Sequence, residues 1–237
     1  MRQKLHVFAL AVALILRCTA YAELRKPTPA EQQVLNKYVT VINKVLDQFQ
    51  SDDWNESVDY SVDDEVQVHP NSGRPLDVDE MFQRSYNVRP GSDRFKRLVQ
   101  PVIEKLQHEP DPSKKAEITK GVQDLMRLRV EVHFNRESIG FDPPPAANTD
   151  LHLEGTAFAY KVNENPDGHG ESYLLAFGSW GQLNWDAQHR WYHFRFAHPQ
   201  NTPYIENIEI RIYGAPDRIQ ELLHTVDWKQ VNEALAR

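Results

Sequence analysis

Apolar residues recur at helical spacing through the first half of the chain and at alternate positions through much of the second. Val34, Leu35, Tyr38, Val41, Ile42, Val45, Leu46 and Phe49 fall on one stripe of a single long helix. Thr28-Pro29-Ala30-Glu31 ahead of them supplies a capping hydroxyl, a proline at the first helical position and a glutamate three residues past the cap, which fixes the expected start. Residues 58–69 alternate loosely and predict one or two short strands before His69-Pro70. Asp77 with Glu80 has the form of a second capping box and predicts a short helix carrying Met81 and Phe82. Ser92 is placed to cap a third helix. Its Phe95, Leu98, Val99, Val102, Ile103 and Leu106 hold phase across Pro101, so a kink is expected there and not a break. Residues 113–127 make a fourth helix, with Ile118, Val122 and Leu125 inward.

At Arg127 the period changes to two. Leu128, Val130, Val132 and Phe134 point one way, and Arg129, Glu131, His133 and Asn135 the other. A proline-rich connection over residues 140–149 cannot pair as a central strand. Further strands are expected at 151–161, 172–180, 190–198 and 205–213, joined in part by short links rich in turn formers. Two helical pieces, 215–224 and 227–235, close the chain. No helix separates the late strands, so the crossover of a parallel nucleotide-binding sheet is missing. The pattern predicts an α+β domain: a helix-rich N-terminal half packing on a C-terminal antiparallel sheet of about five strands, closing with one or two helices.

Residues 1–22 stand apart. Arg2 and Lys4, the mostly apolar run Leu5–Leu16 and the small-residue pattern Ala20-Tyr21-Ala22 read as a cleavable signal peptide, leaving residues 23–237 as one exported domain, soluble after cleavage following Ala22. The apolar run is too short to cross a bilayer, which takes about 20 apolar residues. Cys18 follows Arg17, not the small residue that normally precedes a lipid-modified cysteine. Removing residues 1–22 takes away Arg2, Lys4 and Arg17 and no acidic side chain, so 24 basic face 34 acidic residues in the remaining 215, a formal charge of −10. That balance argues against nucleic acid as a partner. With Cys18 the only cysteine, the mature domain has no internal disulfide, which points to a periplasmic or other bacterial envelope protein more than to a secreted animal domain.

No sequence motif specifies catalysis or a cofactor. There is no glycine-rich phosphate loop and no His-Glu-x-x-His helix, and Gly178-Ser179-Trp180-Gly181 lacks the spacing of a nucleophile elbow. Asn163, Asn165, Asp167 and Gly168 match the first half of a calcium loop, but the twelfth position is Leu174 where a bidentate glutamate is needed, so a plain hairpin is expected. The chemistry that remains lies on one strand face. Glu131, His133, Trp191, His193, Arg195, Glu209 and Arg211 all project opposite the apolar residues of their strands. On neighbouring strands they would form a polar surface with an aromatic anchor, a candidate ligand-binding face. The leading expectation is an exported, non-enzymatic domain that binds a small molecule or an envelope partner, with no cofactor. The alternative is a hydrolase-like or metal-dependent enzyme using His133 and His193 with nearby carboxylates, which requires both histidines in one cavity. A structural envelope component is the third possibility.

Overall fold

The computed structural model describes residues 24–49, 53–58, 66–70, 72–79, 82–140, 151–162, 171–181, 184–188 and 191–236. Helix α1, Pro29–Leu46, starts where the capping box places it: the Glu31 amide donates to Thr28 Oγ1 at 3.4 Å and the Thr28 amide to Glu31 Oε2 at 2.7 Å. Glu31 also receives the Arg25 guanidinium on both oxygens at 2.7 Å. That pairing holds its carboxyl below the ordinary carboxylate range, against the opposing effect of burial. Leu35, Tyr38, Ile42, Val45 and Leu46 form the buried face of α1. At its far end the Asn43 and Leu46 carbonyls accept the amides of Asp47 and Phe49, and side chains of the strand Phe82–Val88 add a second donor to each. Arg84 Nη1 donates to the Asn43 carbonyl and the Tyr86 hydroxyl to the Leu46 carbonyl, each at 3.1 Å.

Six antiparallel strands form the main sheet in the order β1 (Trp54–Val58), β2 (Phe82–Val88), β3 (Arg127–Phe134), β9 (Asn207–Gly214), β6 (Glu171–Gly178) and β5 (Phe158–Val162). A separate three-stranded antiparallel sheet runs β4 (Ser138–Gly140), β8 (Trp191–His193), β7 (Asn184–Asp186). The remaining helices are α2 (Gln100–His108), α3 (Pro112–Met126), α4 (Pro216–Thr225) and α5 (Lys229–Leu235). The domain is therefore α+β, with helices before and after an antiparallel sheet. One face of the main sheet carries Leu128, Val130, Val132 and Phe134 of β3, Ile208, Ile210 and Ile212 of β9, and Leu175 and Phe177 of β6. These pack with α1, with Ile219 and Leu222 of α4 and with Val231 and Leu235 of α5 in one buried cluster. Among the described residues no helix is long and apolar enough to cross a membrane.

The helix through Pro101 is continuous, and the disturbance takes the form of a π-helical turn, Phe95–Val99, immediately before α2. The Gln100 amide reaches back to the Phe95 carbonyl, so the ladder is already widened where the proline withholds a donor. Ser92 Oγ accepts from the Phe95 amide at 3.1 Å, as its capping position predicts. Ile118, Val122 and Leu125 of α3 are only partly buried.

Three expectations need correction. The helix expected after Asp77 is strand β2: Phe82, Arg84, Tyr86 and Val88 alternate inward and pair with β3. Arg84 breaks the apolar alternation in the sequence, which hid the period of two. Asp77 does not cap; its carboxylate accepts from Arg74 Nη1 at 2.7 Å. The strand expected within 58–69 is β1 instead, ending at Val58, and Val68 forms only isolated bridges to Arg25 and Val78, while residues 59–65 lie outside the described set. Finally, the strand expected at 190–198 is regular over Trp191–His193 alone and leaves the main sheet, where β6 pairs directly with β9. Phe194 and Phe196 therefore do not receive the helices. They join a second apolar cluster with Ile139, Tyr160, Leu174, Ala176 and Trp180 on the opposite face of the main sheet. The proline-rich connection over 141–149 and the 163–170 loop lie outside the described residues.

Candidate ligand-binding site

The face of the main sheet turned away from the helices is divided. Over β5 and β6 it is apolar, and the small sheet packs on it through Ile139 of β4 and Phe194 just after β8, with Trp180, two residues past β6, in the same cluster. Over β3 and β9 it is charged. Register puts Glu131 opposite Arg211, His133 opposite Glu209 and Arg129 opposite Tyr213, and directly opposed side chains on one face stand about 5 Å apart. Each carboxylate is consequently ringed by cations. Arg129 Nε lies 3.1 Å from Glu131 Oε1 and His133 Nε2 3.9 Å from Glu131 Oε2. Arg211 Nε donates to Glu209 Oε1 at 2.6 Å, and Arg136 Nε is 3.9 Å from the same oxygen. The Arg129 guanidinium sits 4.6 Å from the centre of the Tyr213 ring.

The carboxylates are withdrawn from solvent beneath part-exposed arginines: Glu209 has 0% of its side chain exposed and Glu131 is buried as well, against 32% for Arg211. Burial alone would raise the Glu131 carboxyl, but the neighbouring His133 imidazole and the Arg129 charge outweigh it and hold the group below the ordinary carboxylate range. Burial pushes the Tyr160 hydroxyl upward, and Glu209 adds to the effect, so this phenol stays protonated.

The charged half opens into a polar pocket of about 280 Å³ at the end of β3. One wall is His133, Phe134 and Arg136; the other is His69, Arg74, Asp77, Val78 and Asp79. Asn135 joins the walls. Fully buried and left-handed at φ 49°, it terminates β3, a conformation that asparagine tolerates better than most residues. Its Nδ2 donates to the Leu76 carbonyl at 2.9 Å and to the Tyr204 carbonyl at 2.8 Å, and its Oδ1 accepts from the Glu206 amide at 2.7 Å. Asn207 then fixes the Arg136 backbone, accepting from its amide at 2.8 Å and donating to its carbonyl at 3.2 Å. Across the pocket His69 Nε2 is 2.7 Å from Asp79 Oδ1, and Arg74 bridges Asp77 and Glu137 at 2.7 and 3.2 Å.

Of the seven residues proposed from the sequence, the structure brings together Glu131, His133, Glu209 and Arg211, and His133 alone of these seven lines the pocket. Trp191 and His193 stand on β8 in the other sheet and Arg195 follows it. His193 is half exposed, with Asp186 Oδ2 at 3.9 Å. His133 and His193 thus occupy different sheets, and the pocket that holds the first does not include the second. His198 is held elsewhere, its Nδ1 3.0 Å from Glu206 Oε2 and its ring stacked on Tyr204. Among the described residues no three His, Cys, Asp or Glu side chains group to hold a metal ion. The sequence reading missed His69, Arg74, Asp79 and Arg136 as site residues. The available signal for the first three was residues 69–79, a short stretch crowding two prolines and a glycine with six polar or charged side chains that a mere connection does not require.

Comparison with models of known protein families, with characterised proteins and with solved structures finds no match to this chain.

Proposed function

We propose that this protein is an exported binding domain for a small anionic ligand, held in the pocket at the end of β3. The observation that carries this reading is Arg136. Its nearest acidic partner is Glu209, at 3.9 Å from Nε and beyond hydrogen-bond reach, and its two Nη groups have no protein partner among the described residues. A guanidinium with open forked donors, on a backbone pinned by Asn207 and next to His133, suits a carboxylate or phosphate. A pocket of about 280 Å³ limits the ligand to a small molecule.

The test is a thermal-shift and calorimetric screen of the mature protein against acetate, succinate and inorganic phosphate. At least one should raise the melting temperature in proportion to its occupancy. Arg136→Ala should weaken it by roughly 10- to 150-fold, the equivalent of about 1.5–3 kcal/mol for a charge-assisted hydrogen bond. No response to any anion, or binding that survives Arg136→Ala, would exclude the reading. A second reading, an acid–base enzyme acting on that ligand, draws support from the His69–Asp79 contact. In the same samples, recovery of the ligand unchanged by NMR favours binding, and conversion that His69→Ala abolishes favours catalysis.

Export rests on the order of basic start, apolar run and Ala20-Tyr21-Ala22. Protein recovered from outside the cytoplasm of its native host should have an intact mass that begins at Glu23. Retention of residues 1–22, or a lipid adduct on Cys18, would overturn the soluble-exported part of the reading.

A further inference from the structure

We infer that the ligand of this pocket is zwitterionic, a small amino-acid-like molecule whose anionic end meets Arg136 and whose ammonium end meets Asp79. The inference rests on the anion-binding reading above and specifies its other half. Most charge around the pocket is already satisfied by protein. Arg74 is committed to Asp77 and Glu137 through its two Nη groups, and Asp77, itself buried, is committed to Arg74. Arg74 keeps a buried Nε without a partner, and the more exposed charged groups of the lining are Arg136 and Asp79, with 27% and 43% of their side chains exposed. Arg136 offers both Nη groups from the β3 wall. On the facing wall Asp79 gives Oδ1 to His69 at 2.7 Å, while Oδ2 has no protein partner among the described residues.

The Asp79 wall is also fixed before any ligand arrives. The Asp79 amide donates to the Gln67 carbonyl at 3.0 Å, and the His69 amide to the Asp77 carbonyl at 2.9 Å. An exposed cation on one lining segment and an exposed anion on the other, in one small pocket, are complementary to a molecule bearing one charge of each sign. A plain dianion would set like charge against Asp79, and a plain amine would face Arg136; charge opposition of this kind is what gives a site its selectivity. His133 and His69 also line the pocket and bring ring nitrogens that can hydrogen-bond a ligand.

Calorimetry of the mature protein decides the matter with matched probes: glycine and β-alanine, then acetate and propionate as the same anions without the amine, then methylamine and ethylamine. A zwitterion should bind at least tenfold more tightly than its matched anion, and neither amine should bind measurably. Asp79→Asn, an isosteric change at a partly exposed position, should remove that tenfold preference, so that glycine binds this variant no more tightly than acetate does. Arg136→Ala should remove binding of both. If acetate binds as tightly as glycine, the zwitterion inference is wrong and the anion reading survives. If neither anion nor zwitterion binds, both fall together.

Discussion

Phe194→Ala should destabilise the folded protein by about 3–5 kcal/mol, whereas His193→Ala, one residue away, should cost no more than about 0.5 kcal/mol. Phe194 is 6% exposed and lies between two aromatic neighbours, with ring centroids 5.0 Å from Trp180 and 5.4 Å from Phe196, both edge-on. It is a main contact by which the small sheet holds the apolar half of the main sheet, so truncation leaves a cavity where neither sheet can collapse without moving the other. His193 projects the opposite way, with 51% of its side chain exposed and only a long contact to Asp186. Denaturant unfolding of the two variants, with the slope of the transition checked for constancy, gives both numbers. Equal losses would show His193 to be packed. A small loss for Phe194→Ala would show the two sheets to be held together elsewhere.

Asn135→Ala should be at least as damaging and should also abolish the pocket. The substitution leaves the Leu76 and Tyr204 carbonyls and the Glu206 amide without their partner. An unsatisfied buried group costs about 1–3 kcal/mol, and alanine must also hold a left-handed backbone, at about 1–2 kcal/mol. Even with partial relaxation a loss of about 4 kcal/mol or more is expected. Asn135→Gly separates the two effects: it should recover the backbone share and none of the hydrogen-bond share, falling between alanine and wild type. Anion binding should be lost in both variants, because both lose the amide that holds the wall at Leu76 to the wall at Arg136. If glycine restored stability fully, backbone conformation and not the amide would be the source of the constraint.

How far the sequence led is clearest at particular places. α1 was legible because its start is written in four consecutive residues and its buried stripe is uninterrupted. β3 was legible because the period changes at Arg127, where the strand in fact begins. β2 was not, since the inward Arg84 makes sense only beside the end of α1, whose Asn43 carbonyl it takes at 3.1 Å. The small sheet was beyond reach for a different reason. Three strands of three residues each cannot display a period, and the alternation through Trp191–His198 belongs to a strand only over its first three residues. The candidate site divides in the same way. Glu131, His133, Glu209 and Arg211 follow from alternation plus the adjacency of β3 and β9, while Asp79 and Arg136 line one pocket because Asn135 ties together segments some sixty residues apart. Trp191, His193 and Arg195 were grouped with the first set on alternation alone, and alternation does not say which sheet a strand joins.

The charged half of the sheet has a consequence for how β3 and β9 find one another. Their apolar faces are runs of aliphatic side chains at every second position, and sliding one strand by two residues would bury nearly the same surface. The opposite face does distinguish the alignments. In the observed one Glu131 lies across from Arg211 and His133 from Glu209. Moved by two residues in one direction, Glu131 would oppose Glu209 and Arg129 would oppose Arg211, two like-charged pairs in a region where Glu209 sees no solvent. Buried ion pairs add little net stability over apolar side chains of the same size. What they provide here is a penalty against that slip of the two central strands, and with it support for the position of the end of β3 on which the pocket is built.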